Sequence, residues 1–157
     1  MAPELRPLIN DHADESTALF EVLSPLTEQE CALPTPAVGW SITDQVSHLA
    51  YFDETTLLSL TDADRFRREA AELVAGGDDF PDQVAARHRH LTGSMLSAWF
   101  RRARVELLAG YAEVDPQRRL PWYGPDMGVA SSVTARLMET WAHGQDIVDA
   151  LGIARPG

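Results

Sequence analysis

Glu139 and His143 stand four residues apart in the segment Arg136-Leu-Met-Glu-Thr-Trp-Ala-His-Gly-Gln-Asp146. On a helix that spacing puts both side chains on one face, with β-carbons about 6 Å apart. A carboxylate and an imidazole so placed can converge on one divalent metal. They do not complete a site, because zinc takes a third protein ligand and, where it is catalytic, keeps a position open. His48 is the third candidate. It shares a helical face with Gln45, Leu49 and Phe52 in another segment, and facing helices of a bundle build metal sites from such inward side chains. Two imidazoles and one carboxylate match a catalytic zinc set and equally the facial triad of non-haem iron. Spacing alone leaves other readings open. Glu139 and His143 also suit a solvated surface pair, and His48 a hydrogen-bonded core residue.

The neighbours of these three residues carry their own expectations. Asp146 follows His143 by three residues and can orient that ring as an outer acceptor, or can serve the helix surface. Arg136 lies one turn before Glu139 and can hold its carboxylate, a substrate anion or a structural ion partner. Asp44 is expected to stabilise a helix N-terminus, and Trp40 and Trp141 to pack in the core or at its rim. His12 is a further candidate for lining a cavity. His88 and His90 are two apart and do not face each other on a helix. The chain has no HExxH, no Gly-rich phosphate loop, no GxSxG elbow and no CxxC pair.

Four long helices and one shorter one are needed to position these groups. The first covers about 4–23, with Leu5, Leu8, Ile9, His12, Ser16, Leu19, Phe20 and Leu23 on one face. Pro7 fits only its first turn. Residues 24–40 hold three prolines and Gly39 and read as a connection, with a brief helical turn at 27–30. The second long helix starts after Ser41, where Ser41 and Asp44 resemble a capping box. A shorter helix covers Ala63 to Ala75 and stops at Gly76-Gly77. The third long helix is expected over about 81–111, with Pro81 in its first turn. Val84, Arg87, His88, Leu91, Met95, Ala98, Trp99 and Arg102 follow its period, and Gly93 weakens it slightly. Residues 115–128 are rich in Pro and Gly and form a loop. Trp122, Tyr123 and Met127 make it unusually apolar, so it is expected to fold over the core or a ligand. The last long helix runs over about 130–151 on Val133, Leu137, Met138, Thr140, Trp141, Ile147, Val148 and Leu151. Gly152 ends it and Pro156 prevents its resumption. No segment alternates as a strand. The expected fold is all-α, a single four-helix bundle over residues 1–157.

Composition excludes several functions. The formal net charge is -11, so phosphate backbones and anionic membrane surfaces are repelled. All 13 Lys and Arg positions are arginine, which rules out Schiff-base chemistry and a lysine base. Cys31 is the only cysteine. It permits no intrachain disulfide and no cysteine cluster for metal. No apolar run approaches the roughly 20 residues that cross a bilayer, and residues 1–16 lack the pattern of a signal peptide. A cytoplasmic protein is expected, monomeric or homodimeric, with no nucleic-acid or membrane partner.

Trp40-Ser-Ile-Thr-Asp44-Gln-Val-Ser-His48-Leu49 resembles the first signature of the DinB-like superfamily, Trp-x3-Asp-x3-His-Leu. Within it, the chain looks like the N-terminal domain of mycothiol-dependent maleylpyruvate isomerases. Arg136, Glu139, His143 and Asp146 match the second signature, Arg-x2-Glu-x3-His-x2-Asp. The stretch from Thr134 to Asp146 is similar to an actinobacterial subgroup of metal-binding proteins. The two signatures are specific together and weak apart, and the likeness covers nearly the whole chain. It implies a DinB-like four-helix bundle in which His48, Glu139 and His143 hold a divalent metal. Zinc is the first expectation, with nickel or iron(II) as alternatives. It also implies mycothiol as the thiol cosubstrate and a small electrophilic substrate. The isomerases carry a further C-terminal domain, whereas this chain ends at Ile153-Ala-Arg-Pro-Gly157. That departure weighs against carrying over the isomerase activity itself.

Two functional expectations follow from the resemblance. One is a thiol-dependent S-transferase or isomerase in which the metal supplies thiolate at neutral pH. The other is a non-catalytic metal-binding or sensing module. A metal-dependent hydrolase, in which the same ligands activate water, is the third.

Overall fold

The computed structural model describes residues 5–155. The expected helix start at Glu4 and the stop at Pro156 lie outside them. Along the chain the elements are α1 (Leu5–Leu23), α2 (Glu28–Cys31), α3 (Ile42–Thr61), α4 (Ala63–Ala75), α5 (Phe80–Arg87), α6 (Gly93–Glu113), β1 (Arg119–Leu120), β2 (Met127–Gly128) and α7 (Val129–Leu151). The fold is all-α, as expected. Its four long helices pack as a ring in which α3 touches α6 and α7, and α1 touches the same two. The shorter α4 and α5 lie against the outer side of α3. None of the helices among the described residues is long and apolar enough to cross a membrane.

Local sequence accounts for the boundaries. Ser41 caps α3, with its side chain accepting from Asp44 N–H while the Asp44 carboxylate accepts from Ser41 N–H. Thr27 and Glu30 make the same reciprocal pair around α2. Gly152 closes α7 in the left-handed region at φ 68°.

The expected helix over 81–111 is two helices. The chain breaks between His88 and Thr92, for two reasons. Thr92 caps a new helix, its hydroxyl accepting from Met95 N–H at 3.1 Å. The Glu28 carboxylate then accepts the free N–H groups of Gly93 (2.7 Å) and Ser94 (3.1 Å). Gly93 is therefore not a weak point inside a helix. It is a close approach, since a Cβ built there would stand 2.6 Å from Cys31 Sγ. The break also resets the buried face. Leu96, Phe100, Ala103, Arg104, Leu107 and Tyr111 point inward, whereas Met95 and Arg102 face solvent. On α7, Met138 and Trp141 are likewise exposed rather than core.

The expected loop over 115–128 contains a short antiparallel pair, with Arg119 opposite Gly128 and Leu120 opposite Met127. Two residues per strand are too few to show alternation in the sequence.

A buried polar cluster ties α1, α3, α6 and α7 together. Asp53 accepts from Arg104 Nε at 2.7 Å and Nη2 at 3.1 Å. The same carboxylate accepts from Arg136 Nη2 at 3.0 Å, and Ser16 Oγ accepts from Arg104 Nη1 at 2.7 Å. His12 lies beside this cluster, fully buried and 6.5 Å from the Tyr111 ring centroid, with no hydrogen-bond partner on either ring nitrogen. Burial first, then the charge of Arg104, drives its pKa from 6.5 down to about 3.

That displacement makes His12 a source of acid sensitivity. Between pH 6.5 and about 3 the unfolded chain takes up a proton at this ring that the folded chain refuses. Stability must fall as the pH drops through that window, by up to about 1.4 kcal/mol per pH unit from this one group. Urea titrations of wild type and His12→Gln from pH 7 to pH 4 will show a shallower pH dependence in the variant. Equal slopes would mean that His12 protonates freely in the fold.

Candidate metal centre

α3 brings His48 and α7 brings Glu139 and His143 to one end of the bundle. Their ligand-capable atoms all lie within 4.8 Å of one another. Glu139 Oε2 stands 2.9 Å from His143 Nε2 and 3.6 Å from His48 Nε2. The two imidazole centroids are 4.5 Å apart. Both rings are largely covered, while the Glu139 side chain is 46% exposed, so the cluster is reached from the Glu139 side.

The donor set fits a divalent cation. The His143 ring, and next the His48 ring, hold the Glu139 carboxyl far below the usual carboxylate range, so it is anionic at any physiological pH. Burial pushes the His48 pKa down and favours its neutral, ligating form. His48 Nδ1 is buried without a hydrogen-bond partner. Its ring is positioned by aromatic packing, with Trp40 at 5.1 Å and Phe52 at 4.8 Å between centroids. Trp40 also stacks on His143 at 6.1 Å. The indole is itself anchored by donating from Nε1 to Asp82 Oδ1 at 2.7 Å. Trp40 is thus rim packing over both imidazoles, and Asp82 of α5 fixes it there.

A cavity of about 260 Å3 opens beside the cluster. It is lined by His48, Glu139 and Arg136 together with the aromatic rings of Phe52, Phe80, Trp122 and Tyr123. The apolar loop expected to cover something does reach this place. Trp122 stacks on Phe66 of α4 at 5.8 Å, and Tyr123 on Phe80 of α5 at 5.4 Å. The β1–β2 pair closes the base of the loop, so the two aromatic residues are held at the cavity from below and from the side. Burial pushes the Tyr123 phenol up to about 12, so it stays protonated near neutral pH.

The remaining candidates fall in different places. Arg136 lines the cavity but spends its guanidinium on Asp53 and the Leu49 carbonyl, which is the structural ion pair among its expected roles. Asp44 caps α3 and also accepts from Arg89. Asp146 accepts from Gln45 Nε2 at 3.1 Å; its partner is Gln45 and not the His143 ring. His88 lies 4.8 Å from the Trp99 ring, away from the cluster, and His90 is exposed. Sequence reasoning placed Gln45 on the correct face but gave it no role, yet its Oε1 contacts His143 Nδ1. Asp53 and Arg104 were not singled out at all. A charged residue at a helical core position was the available signal for both.

Comparison with solved structures defines the fold class. The crystal structure of the mycothiol-dependent maleylpyruvate isomerase superposes with a TM-score of 0.72 at 15% identity, over 92% of this chain and 61% of that one. A histidine-to-alanine mutant of it superposes equally well, at 14% identity. This is the DinB-like helical bundle. The family model of the mycothiol maleylpyruvate isomerase N-terminal domain matches residues 12–148, and the chain belongs to that family. Two uncharacterized proteins of Mycobacterium tuberculosis, from strains CDC 1551 / Oshkosh and ATCC 25618 / H37Rv, are each 38% identical over 150 residues. The alignment covers 96% of this chain and 58% of theirs, so the chain spans about three fifths of the length of these relatives.

Proposed function

We propose that the protein binds one divalent metal, zinc in the first place, through His48, Glu139 and His143, and uses it in a mycothiol-type S-transfer or isomerisation. The observation that carries this reading is the convergence of the three donors at the mouth of an aromatic-walled cavity. Family membership supports the thiol. A metal held there lowers the pKa of a bound thiol and supplies thiolate at neutral pH.

The chain's own residues do the rest. Phe52, Phe80, Trp122 and Tyr123 exclude water from the reacting atoms and pack the electrophile against the cluster. Trp40 shields the two rings from bulk solvent. The thiolate sulfur adds to an electrophilic carbon–carbon double bond, and the adduct carbanion takes a proton. If the adduct rotates and then loses the proton and the thiolate, the thiol is regenerated and the net reaction is isomerisation. If it is released intact, the product is a thioether and the net reaction is transfer. Use of a cellular thiol accords with the cytoplasm.

The test is an assay of zinc-loaded protein with mycothiol and maleylpyruvate, following free thiol and product together. Product with constant thiol marks an isomerase, and product with stoichiometric thiol loss marks a transferase. Neither, in protein carrying one metal per chain and offered a panel of electrophiles, sinks the enzymatic reading and leaves a metal-binding module.

A further inference from the structure

We propose that Gln45 is a positioning residue for His143. It would relay the orienting effect of Asp146 and Thr35 so that the Nε2 lone pair is reserved for the metal. The inference rests on the metal reading above and extends it to a residue outside the fixed positions of the two signatures quoted above.

Gln45 is fully buried, so its amide orientation is decided by its neighbours. Asp146 Oδ2 accepts from Gln45 Nε2 at 3.1 Å. Thr35 Oγ1 also lies 3.0 Å from Nε2 and spends its own proton on the Trp40 carbonyl at 2.8 Å. Both neighbours therefore demand an N–H, and both amide protons are used. The Gln45 carbonyl must then face the other way, where it meets His143 Nδ1. A carbonyl oxygen can only accept, so His143 carries its proton on Nδ1. The ring's other nitrogen, Nε2, is the one aimed at Glu139 and the cluster. Each group leaves the next one a single choice, from the Asp146 carboxylate to His143 Nδ1, and Nε2 is left facing Glu139. A metal-bound histidine whose other nitrogen donates to a fixed acceptor is held in one tautomer and one orientation. Here the acceptor sits on α3 and the histidine on α7, so the relay also sets the spacing of the helices that supply the ligands.

The test combines metal affinity, read by competition with a chromophoric chelator, and the nitrogen-15 NMR pattern of His143. Circular dichroism checks that each variant folds. Gln45→Leu should weaken metal binding about 10- to 100-fold and abolish the preference for a proton on Nδ1. Gln45→Glu alone should weaken it too, because two carboxylates then face each other. The double change Gln45→Glu with Asp146→Asn restores donor opposite acceptor and should recover most of the affinity. A purely packing role would not produce that recovery. Wild-type affinity and an unchanged His143 pattern in Gln45→Leu would overturn the proposal, as would a double variant no better than Gln45→Glu. If the wild type binds no metal, the metal reading fails by itself. The Nδ1 proton of His143, and its dependence on Gln45, still decides the relay in the metal-free protein.

Discussion

His48→Ala and His143→Ala will each abolish stoichiometric binding of divalent metal, while His90→Ala will not. The loss should exceed the roughly 100-fold that follows removal of an outer hydrogen-bond partner, because a donor atom is removed outright. With three protein donors, deletion of either imidazole leaves two, below the minimum of a catalytic zinc site. Glu139→Gln belongs with them, since it removes the anionic charge that offsets the cation and exchanges one carboxylate oxygen for an amide nitrogen. Equilibrium dialysis with zinc, nickel and iron(II), followed by elemental analysis, measures the effect and ranks the metals. His90 is exposed and distant from the cluster, so it controls for loose surface binding. Metal retained at wild-type stoichiometry in both histidine variants would sink the site. His48, Glu139 and His143 would then be a hydrogen-bonded cluster at the bundle end.

Asp53→Asn will destabilise the fold by about 3–5 kcal/mol, more than any single arginine change in the same cluster. Among the described residues Asp53 is the one carboxylate facing two guanidiniums, and all three are nine-tenths or more buried. Removing its charge leaves Arg104 and Arg136 both uncompensated in a poorly solvated interior. Arg104→Met leaves Asp53 still paired with Arg136 at 3.0 Å. Its cost should be nearer the roughly 1.5–3 kcal/mol of a lost hydrogen bond to a charged group. Urea unfolding of the two variants at pH 7 gives the order directly. An Asp53→Asn protein as stable as Arg104→Met would show that water or backbone groups already neutralise the arginines.

The bundle and its ligand faces were legible in the sequence because long helices repeat their buried positions many times. His12, Ser16, Leu19 and Leu23 were on the expected face of α1, and Gln45, Leu49, Phe52 and Thr56 on that of α3. The break before Gly93 was only half legible, because the Thr92 cap is local but the anion that completes it is not. Glu28, some 65 residues earlier, ends up supplying the anion that holds the new helix start. The same holds for Gln45 and Asp53, whose partners lie on other helices. A polar residue on an apolar face announces that it needs a partner, but only the packing of α3 against α6 and α7 supplies its identity. The convergence of Glu139 and His143 with His48 was expected from residue types and from resemblance together. The support beside them comes from segments that carried no chemical signal: Phe80 in the cavity wall, Phe66 behind Trp122 and Asp82 on the Trp40 indole.

The separation of α5 from α6 divides labour within the protein. Had residues 80–113 formed one rod, the side chains beside the cavity would have been locked to the phase of the bundle core. Instead α4 and α5 ride on the outside of α3, with Phe80 in the aromatic wall, Phe66 backing Trp122 and Asp82 holding the Trp40 rim. Those positions can be exchanged without touching the packing of the four long helices or the buried Asp53 cluster. The shape of the cavity and the stability of the bundle are thus set by largely separate sets of side chains.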